Sequence, residues 1–185
     1  MNTSWKVLRI AGLDFYIVPL PALIVTAVLW VLFERIGEEM LGLSRIEAIV
    51  GGLLATAQFW LSEAVHQIGH GIAARRTGHP MVGFSLWGLG TSLYPPDEGE
   101  LSGRVHIQRA LGGPIISLIL AAIAALKAVL LAPVGGLFFW LAVYVTAINL
   151  LIFGLGALLP LKIGGLTSDG AVILHWLRNG NRQTA

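Results

Sequence analysis

Two histidines four residues apart, His66 and His70, stand inside an apolar run that stops at Arg75-Arg76. On a helix, positions i and i+4 share one face about a turn apart, so both imidazoles can reach one metal ion. Burying two ionisable rings at membrane depth is costly, which weighs against two unrelated core histidines. The residue after the first histidine is Gln67, whose amide cannot take up a proton near neutral pH. Glu63 lies three residues before His66 on the same helical face, where it is a ligand, a partner of the ligands, a displaced base, or an acid paired with a helix neighbour.

The pattern is that of the zinc-peptidase signature H-E-x-x-H, in which the histidines bind zinc and the glutamate is the general base. Such a site needs a third ligand, ideally a carboxylate, and a fourth position for water. The chain has no cysteine, so His, Asp and Glu must supply every ligand. Asp169, in Thr167-Ser168-Asp169-Gly170, is the best candidate. Standing alone it would read as the N-cap of a short final helix, 171–177, but two histidines in need of a partner favour the ligand role. His79, His106 and His175 have no spacing that implies a common site; among them His106 is the first choice for a functional role. Asn149 and Ser117 are further candidates for contact with the ligands or the substrate.

The elements that must position these groups belong in a bilayer. The 185 residues have the length of one domain, but 56% are apolar and only 12% charged, which does not suit a soluble globule. A formal charge of +2 with scattered basic residues excludes a nucleic-acid surface. Apolar runs predict an all-α membrane protein of four helices, at about 17–33, 48–74, 110–131 and 137–159, with the histidines near the end of the second. The first run lacks a cleavage site and reads as a permanent span. Residues 5–16 suit a strand or an interfacial segment. The stretch 78–104, with alternation over 81–87, predicts a small β-hairpin or re-entrant loop whose edge could pair with an unwound segment.

Basic residues near span ends favour the cytoplasmic side. With the N-terminus inside, Lys6, Arg9, Arg75, Arg76, Arg104, Arg109, Lys162, Arg178 and Arg182 are cytoplasmic, leaving Arg35, Arg45 and Lys127 outside. Both termini and the histidine end of the second helix are therefore expected at the cytoplasmic face, together with Asp169.

In this setting the chain resembles the site-2 protease family of intramembrane zinc metalloproteases. His66-Gln67-Ile68-Gly69-His70-Gly71 matches the family's first zinc motif, Ser168-Asp169-Gly170 matches the motif of its third ligand, and Leu111-Gly112-Gly113-Pro114-Ile115-Ile116-Ser117-Leu118 is similar to its Gly-Pro segment. The resemblance implies a three-helix core formed by spans two to four, Zn2+ as cofactor, and membrane-spanning protein substrates cut within or near the bilayer. It departs from the family at Gln67, where glutamate is expected, and at Ser117 and Ala157, where many members carry asparagine. Gln67 marks either an inactivated protease or a pseudoprotease that binds clients without cutting. A small metal transporter is disfavoured, because the outer halves of the helices lack the ionisable residues of an ion path.

Overall fold

The second helix organises the chain, and its start is written in four residues. Ser44 Oγ accepts from the Glu47 N–H at 3.3 Å and Glu47 Oε2 accepts from the Ser44 N–H at 2.9 Å, a reciprocal capping box that launches α2 (Arg45–Arg76). Arg75 and Arg76 occupy its last turn, where positive charge offsets the helix dipole, and Gly78 at φ 77° takes the chain away. The computed structural model describes residues 4–10, 12–163 and 166–179. Arg182, counted above among the cytoplasmic charges, lies outside them.

Three helices are long and apolar enough to cross a membrane: α1 (Pro19–Glu39), α2, and α3 (Gly103–Leu131). Pro19 and Pro21 fall in the first turn of α1, which has no intrahelical use for their missing N–H groups. Large apolar side chains point outward along α1 (Leu20, Leu23, Val31) and α3 (Ile115, Ile119, Ile123), as lipid-facing surfaces require. The expected lengths were short at several ends, since α2 begins before 48 and α3 begins before 110.

The fourth apolar run departs from expectation. Its helix α4 (Gly136–Ala147) passes into a π-helical turn, Ile148–Ile152, and then leaves the helical path, so 137–159 is not one continuous span. The helical part, Gly136–Ile152, would reach about 25 Å at 1.5 Å per residue, short of a hydrocarbon core of about 30 Å. Phe153 and Leu155 donate to the carbonyls of Ile148 and Leu150, five residues back, and the chain then turns tightly on itself. A Cβ on Gly156 would strike the Leu151 and Ile152 carbonyls, so glycine is needed where apolar periodicity alone suggested more helix.

The chain is also not all-α. β1 (Trp5–Ile10) and β2 (Leu13–Ile17) form an antiparallel hairpin, as do β3 (Gly83–Leu86) and β4 (Thr91–Leu93), and β2 pairs in parallel with β3. The resulting sheet has the order β1-β2-β3-β4. The hairpin expected after α2 is thus half of a sheet whose other half comes from the N-terminal segment. Leu13, Met81, Phe84 and Leu86 pack it onto Ala74 of α2, with the Phe15 and Phe84 rings edge to face at 5.1 Å. A two-strand pair, β5 (Lys162–Ile163) and β6 (Leu166–Thr167), leads into α5 (Asp169–Asn179), which packs on α3.

Candidate metal centre

Close approach of two helices builds this site. A Cβ on Gly69 would lie 2.5 Å from the Gly112 carbonyl oxygen, so the α2 and α3 backbones touch there, and only glycine allows it. That contact carries the rings of His66 and His70 onto α3: His66 Nδ1 lies 3.0 Å from Ser117 Oγ, and His70 Nδ1 lies 2.8 Å from the Arg109 carbonyl. A carbonyl can only accept, so His70 carries its proton on Nδ1 and presents a bare Nε2. The Gly113 N–H also approaches this Nδ1, at 3.3 Å, but the shorter contact decides the tautomer. Pro114, inside α3, has no N–H for the ladder, which loosens the helix beside the carbonyl that His70 uses.

The two Nε2 atoms face each other at 3.0 Å. At that distance His66 either donates from Nε2 to the bare His70 Nε2 or carries its proton on Nδ1 toward the Ser117 hydroxyl, the tautomer that leaves both Nε2 lone pairs for a shared cation. Both rings are buried, His66 at 6% and His70 at 4% exposure. Phe153, brought in by the π-helical turn, covers His66 with a ring separation of 5.7 Å.

Asp169 closes the triangle. Its Oδ2 is 3.4 Å from His66 Nε2 and its Oδ1 is 3.4 Å from His70 Nε2. Asp169 is free for this because Ser168 does the capping: its Oγ accepts from the Ala171 N–H at 3.2 Å. The alternative reading of Asp169 as an N-cap is thereby set aside. His66, His70 and Asp169 form the group among the described residues that could hold a metal ion. The closest approaches among the three are 3.0, 3.4 and 3.4 Å, the last two made by different oxygens of Asp169, and one ligand atom from each residue lies within 4.8 Å of the others, a cluster that a zinc ion with ligands at about 2.0–2.1 Å can draw together. A Cβ on Gly113 would collide with Nε2 of both histidines, so this glycine keeps open the space at the ligand atoms.

The remaining candidates divide. Ser117 is fully buried and touches His66, as a partner of a ligand should. Asn149 is fully buried too, but donates to Ser62 Oγ at 2.8 Å and the Val145 carbonyl at 2.9 Å, locking the π-helical turn onto α2 without entering the ligand group. His106 is stacked on Trp176 at 4.4 Å and ties α5 to α3. Glu63 is wholly buried, lies outside the ligand group, and neither of its oxygens has a hydrogen-bond partner among the described residues, so its reading as an acid paired with a neighbour is corrected. Gln67 is buried at 3% exposure, and its Oε1 accepts from Ser92 Oγ of β4 at 2.9 Å. Position 67 is thus attached to the edge strand of the sheet.

No family model matches this sequence, and no curated protein does. Among solved structures, the site-2 protease from Methanocaldococcus jannaschii matches with a TM-score of 0.60 over 96% of this chain and 72% of that one, at 16% identity. The fold is that of a site-2 protease. At that identity the likeness establishes the site-2 protease fold and leaves the activity to the residues themselves.

One residue of this centre was overlooked in the sequence. Arg109, counted there only as a cytoplasmic charge, is buried at 4% exposure, and its Nη1 donates to Glu98 Oε2 at 2.9 Å. Its Nη2 donates to the His79 carbonyl, and its guanidinium lies 4.2 Å above the Tyr94 ring. Side chain and carbonyl together join the loop after α2 to His70. The hydrogen bond from Arg109 holds the Glu98 carboxyl below the usual carboxylate range. A carboxyl lowered in the folded state adds stability above its unfolded pKa of about 4.3, and loses it as pH falls through the folded value. Amide protection factors over 79–98, which remove the intrinsic pH dependence of exchange, are therefore expected to fall as the pH drops below the unfolded carboxyl range. Glu98→Gln should exchange fast already at neutral pH and show no acid step.

Proposed function

We propose that this chain is a site-2-protease-like intramembrane zinc metallopeptidase domain that takes membrane-spanning protein segments as substrates, with turnover small or absent while position 67 is glutamine. The observation that carries the reading is the convergence of His66, His70 and Asp169, whose ligand atoms lie within 4.8 Å of one another, with His70 held by a backbone carbonyl in the tautomer that leaves Nε2 for a metal. Zinc held there would supply Lewis acidity to polarise a peptide carbonyl and lower the pKa of water. The protein's own contribution is to exclude bulk water with Phe153, to fix both imidazoles through Ser117 and Arg109, and to offer the edge strand β4 beside position 67. An unwound substrate segment would add to that edge by main-chain hydrogen bonds. Glutamate at position 67 would accept the proton of the attacking water; the Gln67 amide cannot.

A second reading has its own observation. Gln67 is fastened to Ser92, so the neutral residue is integrated into the hairpin, as in a domain that binds membrane clients without cleaving them. The two readings separate when purified Gln67 and Gln67→Glu proteins are assayed for metal and offered a panel of transmembrane substrates. A glutamate form that holds zinc and cuts nothing would favour the client-binding reading.

The metal centre lies toward the cytoplasmic side, with both termini on that side. Supporting this, Arg75 and Arg76 close α2 near the histidines, whereas Arg45 pairs with Glu38 at 3.1 Å at the other end of the helix. The absence of cysteine makes single-cysteine labelling clean. Cysteine at position 100 should react with an impermeant maleimide only from the cytoplasmic face, and cysteine at position 42 only from the opposite one; the reverse pattern would overturn this orientation.

A further inference from the structure

Ser92 of β4 donates its hydroxyl proton to Gln67 Oε1 at 2.9 Å. Strand side chains alternate between faces, so Tyr94, two residues beyond Ser92, turns to the same face as the chain leaves β4. Two elements hold its ring. It packs against the cluster of Leu13, Met81, Phe84, Leu86 and Ala74, and the Arg109 guanidinium covers it at 4.2 Å. Arg109 is itself fixed, by Glu98, by the His79 carbonyl, and through its own carbonyl by His70 Nδ1 at 2.8 Å. Tyr94 is thus clamped between the strand that touches position 67 and the residue that orients His70.

The far end of this half-buried ring faces the centre. Ser92, Arg109, Asp169 and Glu98 all act on the Tyr94 hydroxyl, which places it beside position 67 and within electrostatic reach of the third ligand. Burial pushes the phenol above its usual range, against the pull of Arg109 and Ser92, so the hydroxyl keeps its proton. Neighbouring donors are already engaged: Ser92 with Gln67, Arg109 with Glu98 and His79, and Asn149 with Ser62 and the Val145 carbonyl. The Tyr94 proton is available to an incoming acceptor. Attack of water on a peptide carbonyl puts negative charge on its oxygen, and a fixed O–H donor aimed there binds the charged oxygen more tightly than the starting carbonyl.

We propose that Tyr94 is a catalytic residue of this centre, its hydroxyl donating a hydrogen bond to the carbonyl oxygen of the scissile peptide as that oxygen gains negative charge. No covalent bond to Tyr94 forms, and its proton stays on the phenol oxygen. The assignment rests on the peptidase reading of the same centre.

The test uses the zinc-loaded full chain in detergent and two dye-labelled Leu-Ala transmembrane peptides, identical except that one carries a phosphinate, tetrahedral and anionic, in place of a central peptide bond. Fluorescence anisotropy gives both affinities. Tyr94→Phe keeps the ring beneath Arg109, so phosphinate affinity should fall on the order of 100-fold, the usual worth of one oxyanion donor, while the intact peptide binds as before and zinc content is unchanged. Tyr94→Leu removes the ring too, and should in addition loosen Arg109 and lower zinc retention. No phosphinate preference in the unaltered chain, an undiminished preference in Tyr94→Phe, or an equal loss for both peptides would each overturn the assignment. Cleavage by Gln67→Glu, measured in parallel, separates the two readings. Cleavage with an undiminished preference in Tyr94→Phe keeps the peptidase and removes Tyr94, whereas a Tyr94-dependent preference without cleavage keeps Tyr94 as an oxyanion donor and removes the peptidase.

Discussion

Gln67→Glu is expected to raise cleavage of a transmembrane substrate by about 10²–10⁴-fold, the usual worth of general-base assistance. The substitution changes an amide for a carboxylate of nearly the same shape, so it tests the proton acceptor and little else. Gln67 accepts from Ser92 through Oε1, and a carboxylate oxygen can keep that bond while its second oxygen adds a proton acceptor where the amide has none. The amide nitrogen packs where a Cβ on Gly90 would collide with it, so the hairpin already accommodates a side chain of this length. Cleavage is followed by gel mobility of a fluorescent transmembrane substrate, with a chelator-treated sample as the blank. A gain below tenfold in a zinc-loaded Gln67→Glu protein would place the missing activity elsewhere than at this residue.

Asp169→Ala is expected to weaken zinc retention by on the order of 100-fold or more, because loss of even an outer partner of a ligand typically costs about 10–100-fold. It leaves two imidazole Nε2 atoms 3.0 Å apart with no carboxylate to complete the set. The helix behind it should survive, since Ser168 caps α5 and Trp176 anchors it against His106. Ser168→Ala is the contrasting variant: it removes a cap worth about 1 kcal/mol and loosens α5 while leaving all three ligands in the chain. Competition with a chromophoric chelator measures the first effect and circular dichroism the second. Equal zinc affinity in Asp169→Ala and the unaltered protein would remove Asp169 from the ligand set.

The parts of this site that could be read in advance are those set by local spacing. His66 and His70 converge because a helix places i and i+4 together, and α2 is a helix for reasons present in its own residues, from the Ser44–Glu47 box to Arg76. Asp169 was reachable because a pair of histidines at membrane depth needs a carboxylate, and few are on offer. The sheet was not readable in the same way. β2 pairs in parallel with β3, joining Asp14 to Gly83 across the whole of α1 and α2, and no local pattern announces a partner at that distance. Arg109 escaped notice for another reason: it acts on His70 through its main-chain carbonyl, which every residue possesses. The end of the fourth run was misjudged because apolar content does not distinguish an α-turn from a π-turn. The distinction rests on Asn149 bonding to Ser62 and on the tight turn at Gly156.

The most direct test of the metal centre is zinc K-edge X-ray absorption on the purified, zinc-loaded chain. Two imidazole shells with nitrogen and oxygen atoms at about 2.0–2.1 Å and a total coordination of about four are the predicted result, with one imidazole shell lost in His70→Ala. A zinc ion surrounded by six oxygens with no imidazole scattering, or a chain that retains no zinc at all, would contradict it.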